Sequence, residues 1–198
     1  MNGEHVLRLT ALEVLAEPFP YFTASEGFSE EIGSTILDWL ETDAPWKLVE
    51  TEFYEQFEFS LSGVRTPPSL RFISSLSFLD NLRRRLEHVF RVALGERIDC
   101  TAHKLVRGQR IRIHNDFIPG GETHRVLVQL NRGWHEDQGG FLMLFNSPDP
   151  SDLHRVLPPI HNSVVGFAIS ERSNHAVSAA RGGERFTLVY SFYASDST

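Results

Sequence analysis

The stretch that decides the fold runs Arg110-Ile111-Arg112-Ile113-His114-Asn115-Asp116. Polar and β-branched residues alternate through its first five positions, the period-2 pattern of a strand with two unlike faces. Strict alternation puts Arg110, Arg112 and His114 on one face and Ile111 and Ile113 on the other. His114 and Asp116 stand two apart. On a strand that ends here both project to the same side, about 7 Å apart along the backbone, and both can reach one metal ion. A His-X-Asp pair alone is common and usually serves packing or surface roles, so its surroundings must decide.

Outward from this stretch, the residues after Asp99 fall into short runs: 100–106, 109–115, 125–131, 140–145, 153–157, 163–169, 174–179 and 184–193. Turn residues punctuate them, among them Pro119-Gly120-Gly121, Gly139-Gly140, Pro148-Asp149-Pro150 and Gly182-Gly183. Earlier, Pro18–Phe22 reads as an extended lead-in. Ser29-Glu30-Glu31 opens a helix striped by Ile32, Ile36, Leu37 and Leu40, with its acidic residues where the helix dipole favours them. The segment 46–61, with Val49, Phe53, Tyr54, Phe57 and Phe59, reads as one or two strands. Leu79, Leu82, Leu86, Val89 and Ala93 repeat at helical spacing, with Gly95 placed to end that helix and Arg83, Arg84 and Arg85 on its solvated face. The pattern predicts a mainly β fold with flanking helices. Its core, over 99–194, is a double-stranded β-helix (jelly roll), with 1–98 a helical and strand support region inside a single domain, 1–198. A metal-free Greek-key sandwich would share this string of elements.

The chain of 198 residues, 41% hydrophobic and 23% charged, suits one globular domain with a sizeable core. A net charge of -7 argues against a nucleic-acid partner. The single cysteine, Cys100, excludes an internal disulfide and a multi-cysteine zinc site, and points to a reducing compartment. Met1-Asn2-Gly3-Glu4-His5 lacks the pattern of a signal peptide, and no apolar run approaches the ~20 residues of a membrane span. A soluble cytoplasmic protein with no membrane partner is expected.

Two histidines and one carboxylate hold ferrous iron on one face and leave the opposite positions open. Nine histidines are available. His5, His88 and His103 precede the Gly108–Asp116 stretch and read as surface or packing residues, and His124 and His135 sit in loop-like, polar contexts. For the third ligand His161 competes with His175. His161 precedes the strand Val164–Phe167, whereas His175 follows it and stands ahead of Arg185 and Thr187.

The order and spacing of Gly108–Asp116, Arg125–Asn131, Trp134, Gly139–Leu142, Val164–Phe167, Ser173–Val177 and Gly182–Leu188 resemble the catalytic core of the iron(II)/2-oxoglutarate-dependent dioxygenase superfamily, in its prolyl-hydroxylase-like branch. The resemblance implies Fe(II) on His114, Asp116 and His175, with His175 favoured over His161 by its spacing to Arg185. It implies that Arg185 pairs with the far carboxylate of 2-oxoglutarate, with Thr187 adding a hydrogen bond and Gln129, inward by alternation, on the cofactor side. On the substrate side, Arg112 would share the cavity with His114 and contact an acidic substrate group, or else pair with a protein carboxylate at the rim. Trp134 walls the pocket or serves the core. Two positions depart from the branch: Arg185 stands where prolyl hydroxylases proper often carry lysine, and Leu105 where a tyrosine often touches the cosubstrate. Both shift the expectation from prolyl hydroxylation to the wider superfamily.

The expected activity uses molecular oxygen and 2-oxoglutarate to hydroxylate an unactivated C–H bond of a peptidyl residue, amino acid or small metabolite, releasing succinate and CO2. Asp116 favours hydroxylation over halogenation, because halogenating members lack that carboxylate. The rival expectation is a non-catalytic jelly roll that retains metal for binding or sensing. A degenerate member would usually lack one of His114, Asp116, His175 or Arg185, and a cupin-type isomerase or lyase would not need Arg185.

Overall fold

The structure, a computed structural model, describes residues 6–52 and 54–195, so the readings made on residues 1–5, His5 among them, and on Phe53 lie outside the described residues. Strands β1 (Glu13–Leu15) and β2 (Tyr21–Ala24) precede helix α1 (Glu30–Thr42), followed by β3 (Lys47–Glu50), β4 (Glu55–Ser60) and helix α2 (Leu76–Phe90). The remaining strands are β5 (Leu94–Leu105), β6 (Ile111–His114), β7 (Glu122–Gln129), β8 (Leu142–Phe145), β9 (Leu153–Leu157), β10 (Val164–Ala168), β11 (His175–Val177) and β12 (Arg185–Ala194). Each of the eight late runs holds one of them. Strand β5 begins at Leu94, so the division expected at 98/99 falls inside a strand.

Both helices start as the sequence dictates. Ser29 accepts the Ile32 N–H and Ser75 accepts the Phe78 N–H, each satisfying a donor that the first turn leaves without an intrahelical partner. The end of α2 differs from the reading. Arg91, in the left-handed region at φ 55, caps it by donating its N–H to the Glu87 carbonyl. Gly95 lies in β5 instead, where an added Cβ would come 2.9 Å from the Ala194 carbonyl oxygen, so this glycine permits close strand approach. Arg83 is also not simply solvated. It pairs with Asp80 (2.5 Å) and Glu87 (2.9 Å) and donates to the Leu94 carbonyl, tying α2 to the start of β5.

The strands form an eight-stranded sheet, ordered β1-β2-β10-β7-β12-β5-β4-β3, and a four-stranded sheet, ordered β6-β11-β8-β9. Period-2 alternation gives the large sheet two different faces. Phe186, Leu188, Tyr190 and Phe192 of β12 pack with Ile36 and Leu40 of α1 and Leu82 and Leu86 of α2. The intervening residues look the other way: Val189, Leu127, Val165 and Phe167 meet Leu142, Leu144 and Val177 of the small sheet. The helices therefore cover one face, and the space between the sheets is left for a cavity.

One irregularity positions the site. Strand β6 pairs with β11 through His114↔His175 and Ile111↔Val177, so three steps along β6 oppose two along β11. The extra residue is a β-bulge, and it breaks strict alternation. Ile111 and His114 both line the space between the sheets, while Arg112 is exposed. The expectation that Arg112 shares the face of His114 is corrected by this bulge.

Candidate active site

His114 ends β6, His175 opens β11 directly opposite, and Asp116 follows β6 in the left-handed region at φ 58, a conformation that Asp tolerates better than most residues. The three residues offer ligand atoms within 4.8 Å of one another, the arrangement that can hold a metal ion. His114 Nε2 lies 3.4 Å from one Asp116 oxygen and His175 Nε2 lies 3.2 Å from the other. On the far side of each ring, His114 Nδ1 is 2.8 Å from the Arg112 carbonyl and His175 Nδ1 is 2.7 Å from the Ser173 carbonyl. A carbonyl only accepts, so both Nδ1 atoms carry the proton. In the neutral rings both Nε2 lone pairs then face Asp116, the outer-shell pattern that orients metal-binding histidines. The donor set and tautomers fit Fe(II).

Electrostatics follow from burial and neighbours. Burial alone would raise the Asp116 carboxyl, but His114, His175 and Arg125 hold it far below the ordinary carboxylate range. For His114 burial pulls the pKa down and Asp116 more than offsets it, so the net direction is up, whereas for His175 burial wins and the net is down. Arg125 of β7 donates to Asp116 (2.5 Å) and to Glu122 (2.7 Å). Sequence reasoning missed this residue. Its alternation with Leu127 and Gln129 gives the strand face it shares but not the partner it meets.

The cluster opens on a cavity of about 300 Å³ between the sheets. Ile111, Leu127, Leu142, Phe167, Val177 and Val189 form its apolar walls. Arg185, at the start of β12, lines the same cavity and is only 7% exposed, yet its Nε and Nη2 have no hydrogen-bond partner. Burial lowers its pKa to about 10, which still leaves it cationic at neutral pH. A buried guanidinium with unspent donors calls for an anion, and a carboxylate matches its fork. 2-Oxoglutarate offers such a group at its far end.

Thr187, which also lines the cavity, donates its hydroxyl proton to Gln129 Oε1 at 3.0 Å, so in this arrangement it has none left for a cosubstrate. Gln129 is buried beside it. Arg112 lines a neighbouring groove of about 540 Å³ with Arg107, Arg110 and Glu55, outside the cavity. Trp134 also lies outside: it donates to the Gly139 carbonyl, stacks edge-on against Phe141, and lines a separate crevice with Asn131 and Arg185. His161 sits against Gly33 of α1, away from the cluster. One histidine reading is corrected: His124, read as loop-like, lies in β7 against Phe90. His103 lies in the cavity wall, and burial lowers the pKa values of His103 and His124 to about 3 and about 4. Gln56 and Glu58 of β4, Tyr54 just before it, and Asp99, Thr101, Glu122 and Ser191 also line the cavity.

A family model described as the 2OG-Fe(II) oxygenase superfamily matches residues 100–193. Among solved structures, the fold is similar to a prolyl-4-hydroxylase of Pseudomonas putida at TM-score 0.71 and 17% identity, covering 88% of this chain and 92% of that one. It is also similar to a Trichoplax adhaerens prolyl hydroxylase in complex with a hypoxia-inducible-factor peptide, at TM-score 0.67 and 14% identity, covering 87% and 83%. A third similar structure is a viral collagen prolyl hydroxylase from Paramecium bursaria Chlorella virus-1 in its 2-oxoglutarate complex, at TM-score 0.61 and 15% identity, covering 88% and 96%. No curated protein matches the chain in sequence. These structures share the fold, and the family model spans the strands that carry the cluster. Residues 100–193 match the model of the 2OG-Fe(II) oxygenase superfamily, whose members require Fe(II) and 2-oxoglutarate.

Proposed function

We propose that the protein is a hydroxylase in which His114, Asp116 and His175 hold Fe(II) and Arg185 receives the far carboxylate of 2-oxoglutarate. The observation that carries this reading is Arg185, a buried cation with unspent donors on the wall of the cavity that holds the three ligands. Iron loaded with 2-oxoglutarate and oxygen supplies the power to hydroxylate an unactivated C–H bond, with release of succinate and CO2. The chain's own residues do the positioning. Carbonyls fix both histidine tautomers. Arg125 engages one Asp116 oxygen and leaves the other, beside His114, for the metal. Gln129 fixes the rotamer of Thr187. The apolar walls exclude water from the reacting end.

The substrate is a peptidyl residue, an amino acid or a small metabolite. Tyr54 lines both the cavity and the neighbouring groove, so that groove is a path by which it can approach. The acidic balance and the single buried cysteine support a cytoplasmic setting, and no helix among the described residues is long and apolar enough to cross a membrane. The test is succinate formation by Fe(II)-loaded protein with 2-oxoglutarate in air. Slow substrate-free turnover is expected, lost in Asp116→Ala with circular dichroism unchanged. A parent protein that makes no succinate, alone or with a substrate panel, would contradict the reading.

A further inference from the structure

Resting on that reading, we infer that the substrate is a small molecule carrying an alkylammonium or guanidinium group, and that Glu58 and Gln56 receive it. The observation is a polar corner of the cavity that neither iron nor cosubstrate uses. Gln56 is 2% exposed, and its Oε1 is buried with no hydrogen-bond partner. Its amide nitrogen donates to Glu58 (2.7 Å) and lies 3.3 Å from His103 Nδ1. An amide NH2 only donates, so Nδ1 accepts and the ring proton sits on Nε2, 3.1 Å from the Thr101 hydroxyl. The chain Thr101–His103–Gln56–Glu58 thus fixes the Gln56 amide. Flipping it would set its oxygen against the Glu58 carboxylate.

The corner therefore offers two acceptor groups, Gln56 Oε1 and the Glu58 carboxylate. 2-Oxoglutarate, with two carboxylates and a ketone, has no proton to give them at neutral pH, so the missing partner belongs to the substrate. Charge points the same way. Asp116 and Glu122 share Arg125, and Asp99 pairs with Arg97. Glu58 has no Lys or Arg partner among the described residues. The nearest ring nitrogen, on His103, is 3.9 Å away and uncharged near neutrality, its pKa lowered by burial to about 3. Fe(II) and doubly ionised 2-oxoglutarate cancel one another and leave the Glu58 charge standing.

Placement and size complete the argument. Glu58, His103 and Thr187 stand side by side across β4, β5 and β12. At the usual strand spacing Glu58 lies about 10 Å from Thr187, across the cavity from the cosubstrate end. The 300 Å³ cavity sits at the lower end of ligand pockets, roughly 300–1,000 Å³, and the cosubstrate shares it, which favours a small molecule over a folded or extended chain.

The test uses protein loaded with Mn(II) and 2-oxoglutarate, which binds without turnover, and measures affinities for isosteric pairs by calorimetry: L-arginine against L-citrulline and L-lysine against L-2-aminoheptanoic acid. At least one cation is expected to bind tenfold or more tightly than its neutral partner, and Glu58→Gln to reduce that preference to less than threefold. Equal affinity within both pairs, no binding by either cation, or a preference that survives in folded Glu58→Gln would overturn the inference. If Glu58→Gln does not fold, the pairs in the parent protein decide alone. A lysine-centred pentapeptide that binds tighter than both amino acids would move the cation to a peptide and overturn the small-molecule assignment. Mn(II) and 2-oxoglutarate binding are measured first. Their failure sinks the proposed function, whereas their success without cation preference sinks only this inference.

Discussion

Arg185 shows how one residue carries chemical meaning through burial. An exposed arginine would say little. One that is 7% exposed with two unpartnered nitrogens is a cation prepared for an anion. Arg185→Ala is expected to weaken 2-oxoglutarate binding more than tenfold, since losing one side of a desolvated charge pair costs about 2–5 kcal/mol. Fe(II) affinity should change little, because Arg185 is not among the three clustered ligands. Titrating each separately checks this, and an unchanged cosubstrate requirement would assign the carboxylate to another cation, with Arg125 the first to examine. At this scale much was legible. His114, Asp116, His175 and Arg185 could be named because their order and spacing carry a signal. Arg125, Gln56 and Glu58 could not, because a polar residue on an inner strand face reads the same whether it meets a ligand, a neighbour or solvent at the rim.

Among the elements, β6 teaches the most. Its alternating sequence is sound evidence for a strand, and a strand is what forms. The bulge opposite β11 is invisible in that sequence, since a single extra residue leaves the pattern intact while turning the side chains after it. That is why Arg112 was expected inside and lies outside. Arg112→Ala is therefore expected to leave the ratio of product to succinate unchanged within twofold, measured in one reaction once a substrate is known. A large loss of coupling would mean that Arg112 reaches the substrate through the neighbouring groove. The end of α2 has the same moral. Gly95 looked like a helix stop, but Arg91 takes the left-handed turn and the glycine serves a strand contact. Both errors concern where a pattern changes register, which depends on a partner strand distant in sequence.

For the whole molecule, the large sheet buries one face under the helices and the other around the site, so histidines on it are held neutral. His124 is the clearest case, with a pKa lowered by burial from 6.5 to about 4. Between those values the unfolded chain binds the extra proton and the folded chain does not, so stability falls as pH drops from 6.5 towards 4. The loss from this residue is about 1.4 kcal/mol by pH 5.5. Urea unfolding at pH 7.5 and 5.5 should show it, with a smaller difference in His124→Gln. Equal differences in the two proteins would mean that His124 titrates normally.

The central claim is that three side chains, two at and just past the end of β6 and one from the start of β11, make one iron centre. Its most direct test is anaerobic equilibrium binding of Fe(II) to the parent and to four variants, with folding followed by circular dichroism. The account predicts one tight site per chain in the parent, its loss in His114→Ala, Asp116→Ala and His175→Ala, and parent-like binding in His161→Ala. Parent-like affinity in folded His175→Ala, or loss of the site in folded His161→Ala, would contradict it.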